Sequence, residues 1–244
     1  MRYFFITGVS KGLGLALANR FDAKGNRVIG FSRSQGDYTG EFHTCDLSKP
    51  LEASAVLATA LNEAELESAS EIVFIANAGL LGPLDFLRTL DSSDIAENLT
   101  ANLVGAAVGL QRFLERVREI TVPKLYLQIS SGAALPERVK PGWSLYCASK
   151  SGQEQLVRTV AAEQASEANP TMLVNLNPGL METGMQRLIR STPKEAFPDV
   201  DQFIEFKESG RVPSPESVAD TIATLVDRFQ SLENGASYKI TDFQ

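Results

Sequence analysis

The chain has 244 residues, of which 43% are hydrophobic and 22% charged, and its formal net charge is −7. These values are ordinary for one globular domain. An acidic chain offers no basic surface for nucleic acid, and two cysteines with a single histidine argue against a disulfide framework or a metal centre. No apolar run is long enough for a membrane span or a signal peptide, so we expect a cytoplasmic protein without a membrane partner.

Short apolar runs alternate with longer helical stretches, which is typical of repeated βα units. The predicted strands are residues 2–7, 27–32, 41–44, 71–76, 124–129, 172–176 and 237–240. The predicted helices are residues 13–24, 51–68, 92–119, 144–168 and 215–229, the third being interrupted by Asn98, Asn102 and Gly105. Strands that are apolar throughout fit a sheet covered on both faces. We therefore predict an α/β fold, a Rossmann-type doubly wound parallel sheet of about seven strands with helices on both faces.

One stretch near the C-terminal end departs from this alternation. Residues 179–213 have poor periodicity and mixed composition, and a stretch of that length inside a compact α/β domain is usually functional. We call residues 179–213 the flap segment and expect it to cover a substrate site. Residues 1–244 are then one domain that carries one large excursion.

A glycine-rich turn directly follows the first predicted strand. Residues 7–14 read TGVSKGLG, a Gly-x-x-x-Gly-x-Gly spacing rather than the Gly-x-Gly-x-x-Gly of the usual dinucleotide fingerprint. Glycine permits a tight turn and close backbone approach. The free N–H groups at the start of the next helix favour an anion, so this turn is a candidate phosphate or pyrophosphate site.

Two residues of a later helix form a candidate acid/base pair. Tyr146 and Lys150 are four residues apart and therefore lie on one helix face. A nearby cation lowers the pKa of a phenol, and Tyr146 could then exchange a proton with a carbonyl or alcohol oxygen. The pair alone is common on helix surfaces. Here it follows a predicted strand that ends in Ser130 and Ser131, at the sheet edge where ligands bind.

Jointly, the motifs of this chain resemble those of the short-chain dehydrogenases/reductases, from Arg2 to the C-terminus. The matching motifs, in the family's order and at about its distances, are residues 7–14, Asp46-Leu47, Asn77-Ala78-Gly79, Asn102, Ser130-Ser131, Tyr146 with Lys150, and Pro178-Gly179 followed by Thr183. The resemblance implies an oxidoreductase that acts on CH–OH or C=O groups with a nicotinamide cofactor. It also implies a homodimer assembled through the helices around residues 92–119 and 144–168.

The resemblance assigns a role to each matching position. Tyr146 is the expected general acid, Lys150 lowers its pKa and holds the nicotinamide ribose, and Asn102 kinks its helix and holds a water linked to Lys150. Ser131 binds the substrate carbonyl, with Ser130 as the alternative, because the chain from Ser131 to Tyr146 is about two residues longer than in most members. The expected cofactor contacts are Ile6, Gly8, Ser10, Lys11, Gly12, Leu13, Gly14, Ser32, Arg33, Asp46, Leu47, Asn77, Ala78, Gly79, Tyr146, Lys150, Pro178, Gly179, Leu180 and Thr183.

The end of the second predicted strand indicates which nicotinamide cofactor is used. An NAD enzyme is expected to carry an acidic residue there for the ribose 2′-hydroxyl. This chain has Ser32 and Arg33 instead, Lys11 adds a second cation, and Asp37 falls in the following loop. Arg33 could bind a 2′-phosphate in a bidentate way, so we predict NADP(H). The alternative is that Arg33 is simply solvated.

Within the family, the chain is more similar to the sepiapterin reductases and the bacterial benzil reductases. The similarity lies in three pieces: Gly142-Trp143 before Tyr146-Cys147, Pro178-Gly179 with Glu182-Thr183 and Met185-Gln186, and residues 203–215. Trp143 could stack on an aromatic substrate or be a core or dimer contact, and Asp242 could hold a pterin ring. Phenylalanines of the flap segment could line an apolar pocket or anchor the segment; they are Phe197, Phe203 and Phe206.

These features predict an NADPH-dependent carbonyl reductase that transfers hydride to a ketone or vicinal dicarbonyl, either a benzil-like diketone or a sepiapterin-like pterin. The alternative is a non-catalytic NADP(H)-binding redox sensor or scaffold, because fold alone does not determine function. The complete set of Asn102, Ser131, Tyr146 and Lys150 favours the enzyme. A dehydrogenase that oxidises a hydroxyl group is a third possibility, which the NADP-type cations disfavour.

Overall fold

The computed structural model describes residues 1–243, which form one seven-stranded parallel sheet with helices on both faces. The strands are β1 Arg2–Thr7, β2 Arg27–Ser32, β3 Glu41–Thr44, β4 Glu71–Ala76, β5 Lys124–Ile129, β6 Met172–Asn177 and β7 Ser237–Lys239. Their order across the sheet is β3-β2-β1-β4-β5-β6-β7, and each neighbouring pair is parallel. The chain winds outward from β1 to β3 and then in the opposite direction from β4 to β7. This is the predicted doubly wound, Rossmann-type arrangement, with its topological switch between β1 and β4.

Eight α-helices accompany the sheet in the part of the chain that the structure describes. They are α1 Gly12–Asp22, α2 Pro50–Glu63, α3 Ser92–Leu99, α4 Gly105–Val117, α5 Ser144–Gln164, α6 Gly184–Ser191, α7 Val200–Glu208 and α8 Pro215–Val226. Side chains of α1 and α8 pack on one face of the sheet, and those of α2, α4 and α5 pack on the other. In β1, Phe4 and Ile6 join the first cluster, whereas Tyr3 and Phe5 join the second. Because successive strand residues point to opposite faces, a strand buried on both faces is apolar throughout.

The predicted strands are confirmed, whereas the helices in the structure end earlier than predicted. Strand β6 continues to Asn177, and β7 ends at Lys239 because Ile240 begins a 3₁₀ turn that runs to Phe243. The helix predicted over residues 51–68 ends at Glu63, since Ala64 adopts an extended conformation (φ −78°, ψ 131°).

The long third helix is bent by a π turn rather than broken. Helices α3 and α4 are joined by the π-helical residues Thr100–Val104, and Asn102 lies inside that turn. A Cβ placed on Gly105 would lie 2.6 Å from Leu47 Cβ and 2.8 Å from Leu47 O. The helix can therefore approach the loop after β3 this closely only because residue 105 has no side chain.

The flap segment contains two helices, α6 and α7, which its irregular sequence pattern did not predict. The side chain of Thr183 caps α6 by accepting a hydrogen bond from Gln186 N at 3.4 Å. A third hydrophobic cluster joins the flap segment to the start of α5; its buried members are Leu81, Ala133, Trp143, Tyr146, Ile189, Phe197, Val200 and Phe203. No helix among residues 1–243 is long and apolar enough to cross a membrane.

Candidate active site

A cleft of about 900 Å³ lies at the carboxyl ends of the strands, lined by the loops that follow β1, β2, β3, β4, β5 and β6 and by the flap segment. It includes the switch point between β1 and β4, where ligands bind in open α/β sheets. Its volume falls at the upper end of the range for ligand sites, so the cleft has room for an extended ligand.

The glycine-rich turn forms one wall of the cleft, and hydrogen bonds from the loop after β4 hold its first residue in place. Asn77 N and Ala78 N donate to Thr7 Oγ1 at 3.1 and 3.0 Å, and Asn77 Nδ2 donates to Thr7 O at 3.0 Å. Gly8 has φ 79°, and a Cβ on Gly14 would collide with the carbonyl oxygen of Gly8. Both glycines are therefore required for the tight turn that leads into α1.

Asn102 fixes the loop after β4 from the other side. It is fully buried, its Oδ1 accepts from Leu80 N at 2.7 Å, and its Nδ2 donates to Leu80 O at 2.7 Å. Its main-chain carbonyl, inside the π turn, accepts from Gln153 Nε2 at 2.5 Å. The structure places Asn102 in the helix distortion that the sequence led us to expect. Its role in holding a water stays a prediction.

Tyr146, Lys150 and Ser131 come together where β5 ends. Tyr146 and Lys150 are 7% and 3% exposed, and both line the cleft. Lys150 Nζ donates to Ile129 O at 2.8 Å and lies 5.9 Å from the centre of the Tyr146 ring. The Ser131 hydroxyl accepts a hydrogen bond from Ala133 N at 3.2 Å, which orients it beside the Tyr146 phenol.

The electrostatics of this pair differ from the expectation that Lys150 lowers the pKa of Tyr146. Burial raises the pKa of Tyr146 above its usual value, although the Ser131 side chain opposes that shift. Burial also lowers the pKa of Lys150 to about 8, with the negative charge of Glu154 opposing. For both groups, the loss of surrounding water is the largest cause of the shift.

The two serines after β5 have different partners. Ser130 Oγ donates to Glu154 Oε1 at 2.5 Å, and the buried Glu154 carboxylate also accepts from Arg158 Nη2 at 2.6 Å and from Ser237 Oγ at 3.1 Å. The hydroxyl of Ser130 therefore donates its hydrogen bond to a buried carboxylate and is not available to donate to a substrate. Ser131 remains the serine beside Tyr146.

Cations and polar groups line the opposite end of the cleft. Lys11 and Arg33 lie in its wall, and no carboxylate of residues 1–243 forms an ion pair with either. Asp46 Oδ1 accepts from Ser48 N at 3.0 Å and from Ser48 Oγ at 2.8 Å. Asp37 is exposed and lies outside the cleft lining. An anionic group of a cofactor therefore fits this end, and the glycine-rich turn next to it fits a pyrophosphate.

Most of the predicted contact residues line the cleft, and three do not. Ile6 is fully buried in the core beneath the turn. Gly14 lies against the carbonyl oxygen of Gly8 and allows the tight turn without lining the cleft itself. Asp242 also lies outside the lining, because the turn after β7 directs its Oδ2 to Lys239 N at 2.7 Å. The structure thus gives Asp242 a local partner, and its contact with substrate stays a prediction.

Trp143 packs in the third hydrophobic cluster and lines the cleft at the same time. Its ring stacks on Phe197 at 5.1 Å with an interplanar angle of 4°, and it meets Tyr146 edge-on at 5.8 Å. Phe197 is fully buried and anchors the flap segment, whereas Phe203 and Phe206 line the cleft. One face of Trp143 is therefore already stacked by a residue of the protein itself.

Sequence reasoning missed Gln153 and Glu154, which are buried behind the candidate catalytic groups. Gln153 supports the Asn102 carbonyl, and Glu154 holds Ser130. Both lie within one or two turns of Tyr146 and Lys150 on α5, and polar residues at that spacing inside a buried helix were the available signal. Among residues 1–243 there is no group of side chains placed to hold a metal ion.

Comparison with known proteins agrees with this geometry. Residues 2–194 match the family model of the short chain dehydrogenases. The chain is 33% identical over 246 residues to a benzil reductase ((S)-benzoin forming) of Bacillus subtilis, with all of both chains covered. It is 30% identical over 175 residues to the sepiapterin reductase of Bos taurus, covering 68% of this chain and 61% of that protein.

The fold is shared with solved structures of lower sequence similarity. The crystal structure of levodione reductase superposes with a TM-score of 0.79 at 24% identity, covering 98% of this chain and 95% of the other. The matched family model spans most of the chain, and most residues of the matching motifs line one cleft at the sheet edge. This chain therefore belongs to the short-chain dehydrogenase/reductase family of oxidoreductases.

Proposed function

We propose that this protein is an NADPH-dependent carbonyl reductase that reduces a ketone or one carbonyl of a vicinal dicarbonyl, with Tyr146 as the general acid. The observation that carries the proposal is that Ser131 and the buried Tyr146 line the same cleft, next to Lys150. Two neighbouring hydroxyl groups can both donate to one carbonyl oxygen, which is what a developing oxyanion requires.

The proposed chemistry divides between the cofactor and these side chains. A reduced nicotinamide, when bound, supplies the hydride. Ser131 and Tyr146 hold the substrate oxygen and polarise the C=O bond, and the Tyr146 proton passes to that oxygen. Because burial raises the pKa of Tyr146, the phenol is protonated before the reaction. A protonated phenol is the form that can act as general acid when a carbonyl is reduced. The Lys150 ammonium, held by Ile129 O, lies close enough to stabilise the phenolate that remains.

Preference for NADPH rests on the cations at the far end of the cleft. Arg33 and Lys11 line this end of the cleft, and neither has an ion-pair partner in the described chain. Both cations are therefore available to bind a 2′-phosphate. The position after β2 that would bind a ribose 2′-hydroxyl through a carboxylate holds Arg33 instead.

The substrate end of the cleft supports a substrate with an apolar body. Its lining includes aromatic and aliphatic side chains of the flap segment and α5, namely Trp143, Met185, Leu188, Ile189, Phe203 and Phe206. The related benzil and sepiapterin reductases are named for a diaryl diketone and a pterin. Since Asp242 lies outside the cleft lining, we rank a diketone above a pterin as the substrate.

We further propose that residues 1–244 work as one cytoplasmic domain, that the flap segment covers the bound substrate, and that the protein is a homodimer. Partly exposed apolar side chains on α4 and α5 support the dimer; they are Val108, Leu114, Leu156 and Val160.

The experiment that tests the proposed function follows NADPH oxidation with benzil, 1-phenyl-1,2-propanedione, sepiapterin and a simple ketone, with NADH in parallel. We expect turnover of the dicarbonyls and a loss of about 10²–10⁴-fold in kcat for Tyr146→Phe. Tyr126→Phe is the matched control, because Tyr126 is also buried but lies outside the cleft. Near-native turnover of Tyr146→Phe would contradict the role of this tyrosine, and NADPH binding without any turnover would favour a sensor.

A further inference from the structure

Arg138 brings a guanidinium group to the substrate end of the cleft. It belongs to the loop of residues 135–140, between Ser131 and α5, and it lines the cleft. Arg138 Nη1 lies 3.1 Å from the point that a Cβ on Gly132 would occupy, and Gly132 directly follows Ser131. The guanidinium therefore lies next to the residue that we propose binds the substrate carbonyl.

Unlike two other cations of this loop and the flap segment, Arg138 has no ion-pair partner among the described residues. Lys140 Nζ binds Asp199 at 2.6 Å, and Arg190 binds Glu182 at 2.7 Å. Within residues 1–243, no carboxylate forms an ion pair with Arg138, and this includes Glu137, which also lines the cleft.

A second hydrogen-bond donor lies at the same place. Asn177 Nδ2 is 3.7 Å from the Cβ point of Gly132, and Asn177 Oδ1 already accepts from Gly179 N at 3.0 Å. The Nδ2 group has no acceptor among the described residues, and Asn177 lines the cleft. Two free donors, one of them charged, therefore flank Gly132. A planar anionic oxygen group is the ligand that such a pair binds well.

We propose that Arg138 and Asn177 bind a carboxylate on the carbon next to the carbonyl that is reduced, so that 2-oxo acids with an aromatic or bulky apolar body are substrates. This rests on the proposed function and narrows its substrate class. Hydride from NADPH adds to the 2-oxo carbon, the Tyr146 proton goes to its oxygen, and solvent returns that proton. The products are a 2-hydroxy acid and NADP⁺, with the carboxylate unchanged.

The test compares phenylglyoxylate with its uncharged methyl ester, using NADPH, on the wild type and on Arg138→Met. We expect Arg138→Met to lower kcat/KM for phenylglyoxylate about tenfold or more, mainly through KM, and to change kcat/KM for the ester less than about twofold. Arg211→Met is the matched control, since Arg211 is an exposed arginine of the flap segment outside the cleft lining. It should leave both substrates unaffected.

Two outcomes separate this inference from the proposed function. If the ester and the diketones are reduced but Arg138→Met affects ester and acid equally, the inference is wrong and the carbonyl reductase stands. If no carbonyl compound is reduced, the proposed function fails, and calorimetric titration of the NADP⁺ complex with phenylglyoxylate then decides. A tenfold higher Kd in Arg138→Met would support the anion site, whereas equal values would overturn it.

Discussion

Lys150 has an environment very different from that of a solvated lysine side chain. It is 3% exposed, its Nζ is bound to a main-chain carbonyl, and burial lowers its pKa from 10.5 to about 8. Glu154, one turn further along α5, opposes that shift. The protein thus keeps a lysine at neutral pH that is charged but close to losing its proton, and that state costs folding free energy.

The cost should appear in the pH dependence of stability. Between about pH 8 and 10.5 the unfolded chain keeps a proton that folded Lys150 has lost, so the free energy of unfolding should rise with pH in that window. We expect the wild type to gain about 2 kcal/mol between pH 8 and 10 relative to Lys150→Met. Urea denaturation of both ligand-free proteins at several pH values measures this, and parallel curves would show that Lys150 is not the titrating group.

Arg33 should determine the choice between NADPH and NADH. Arg33→Asp removes the proposed partner of the 2′-phosphate and supplies a carboxylate for a ribose 2′-hydroxyl, so the ratio of kcat/KM for NADPH to that for NADH should fall by about tenfold or more. Arg211→Asp makes the same charge change outside the cleft and should leave the ratio unchanged. If Arg33→Asp also leaves it unchanged, Lys11 or another group binds the phosphate.

For individual residues, the sequence predicted which catalytic side chains lie together but not the direction in which their pKa values are shifted. The spacing of Tyr146 and Lys150 and their position after β5 were enough to bring them together with Ser131. The pKa directions were not predictable, because desolvation depends on everything packed around the pair. The spacing of Glu154 from Lys150 was a signal that sequence reasoning missed, whereas its pairing with Ser130 is visible only in the fold.

Among the elements, the π turn between α3 and α4 is followed by a close contact between the start of α4 and a residue of the cleft wall. Gly105 begins α4 against Leu47, a lining residue, whereas a Cβ on Gly109 would meet Phe74 Cζ at an ordinary 3.4 Å. We expect Gly105→Ala to lower the free energy of unfolding by about 1–3 kcal/mol through overpacking. Gly109→Ala should be neutral or stabilising by up to about 1 kcal/mol, because alanine favours the helix. Urea denaturation of both variants measures this, and equal effects would contradict the close approach at Gly105.

Strands were predicted better than helices, for a physical reason. A strand covered on both faces has an apolar run that starts and stops with burial, so the bounds of β1, β2, β4 and β5 follow from the sequence. Helix ends depend on tertiary contacts, and α2 and α5 end several residues before the periodic pattern does. Helices α6 and α7 have only 8 and 9 residues and bury Ile189 on one and Val200 and Phe203 on the other, so each is too short for a helical period to be recognised.

For the whole molecule, the outer surface of α4 and α5 should hold two copies together. Leu156 is only partly buried within one chain, and Leu156→Glu would place a charge in the proposed interface. We expect light scattering to give about 53 kDa for the wild type, twice the 26.5 kDa of one chain, and a shift towards 26.5 kDa for Leu156→Glu. Leu51→Glu, at a leucine exposed on α2, should stay dimeric. A monomeric wild type would contradict the dimer.

The doubly wound topology could be predicted at this scale, because alternating βα units allow few other arrangements. The contents of the cleft were harder to predict, since they depend on how residues far apart in sequence meet at one sheet edge. Asp242 shows the limit: the resemblance to the sepiapterin reductases suggested a contact with substrate, and in the structure a turn after β7 pairs its carboxylate with Lys239 N, outside the cleft lining.

The strand order has a consequence for how this protein can change over evolutionary time. Arg33 follows β2 and Arg138 follows β5, and β1 and β4 lie between those two strands. Three strand spacings amount to about 14 Å, beyond the range in which substitutions usually couple. The free-energy effects of changing the two arginines should therefore add. A lineage could exchange its electron donor while keeping its substrate, or the reverse, without passing through an intermediate that has lost both.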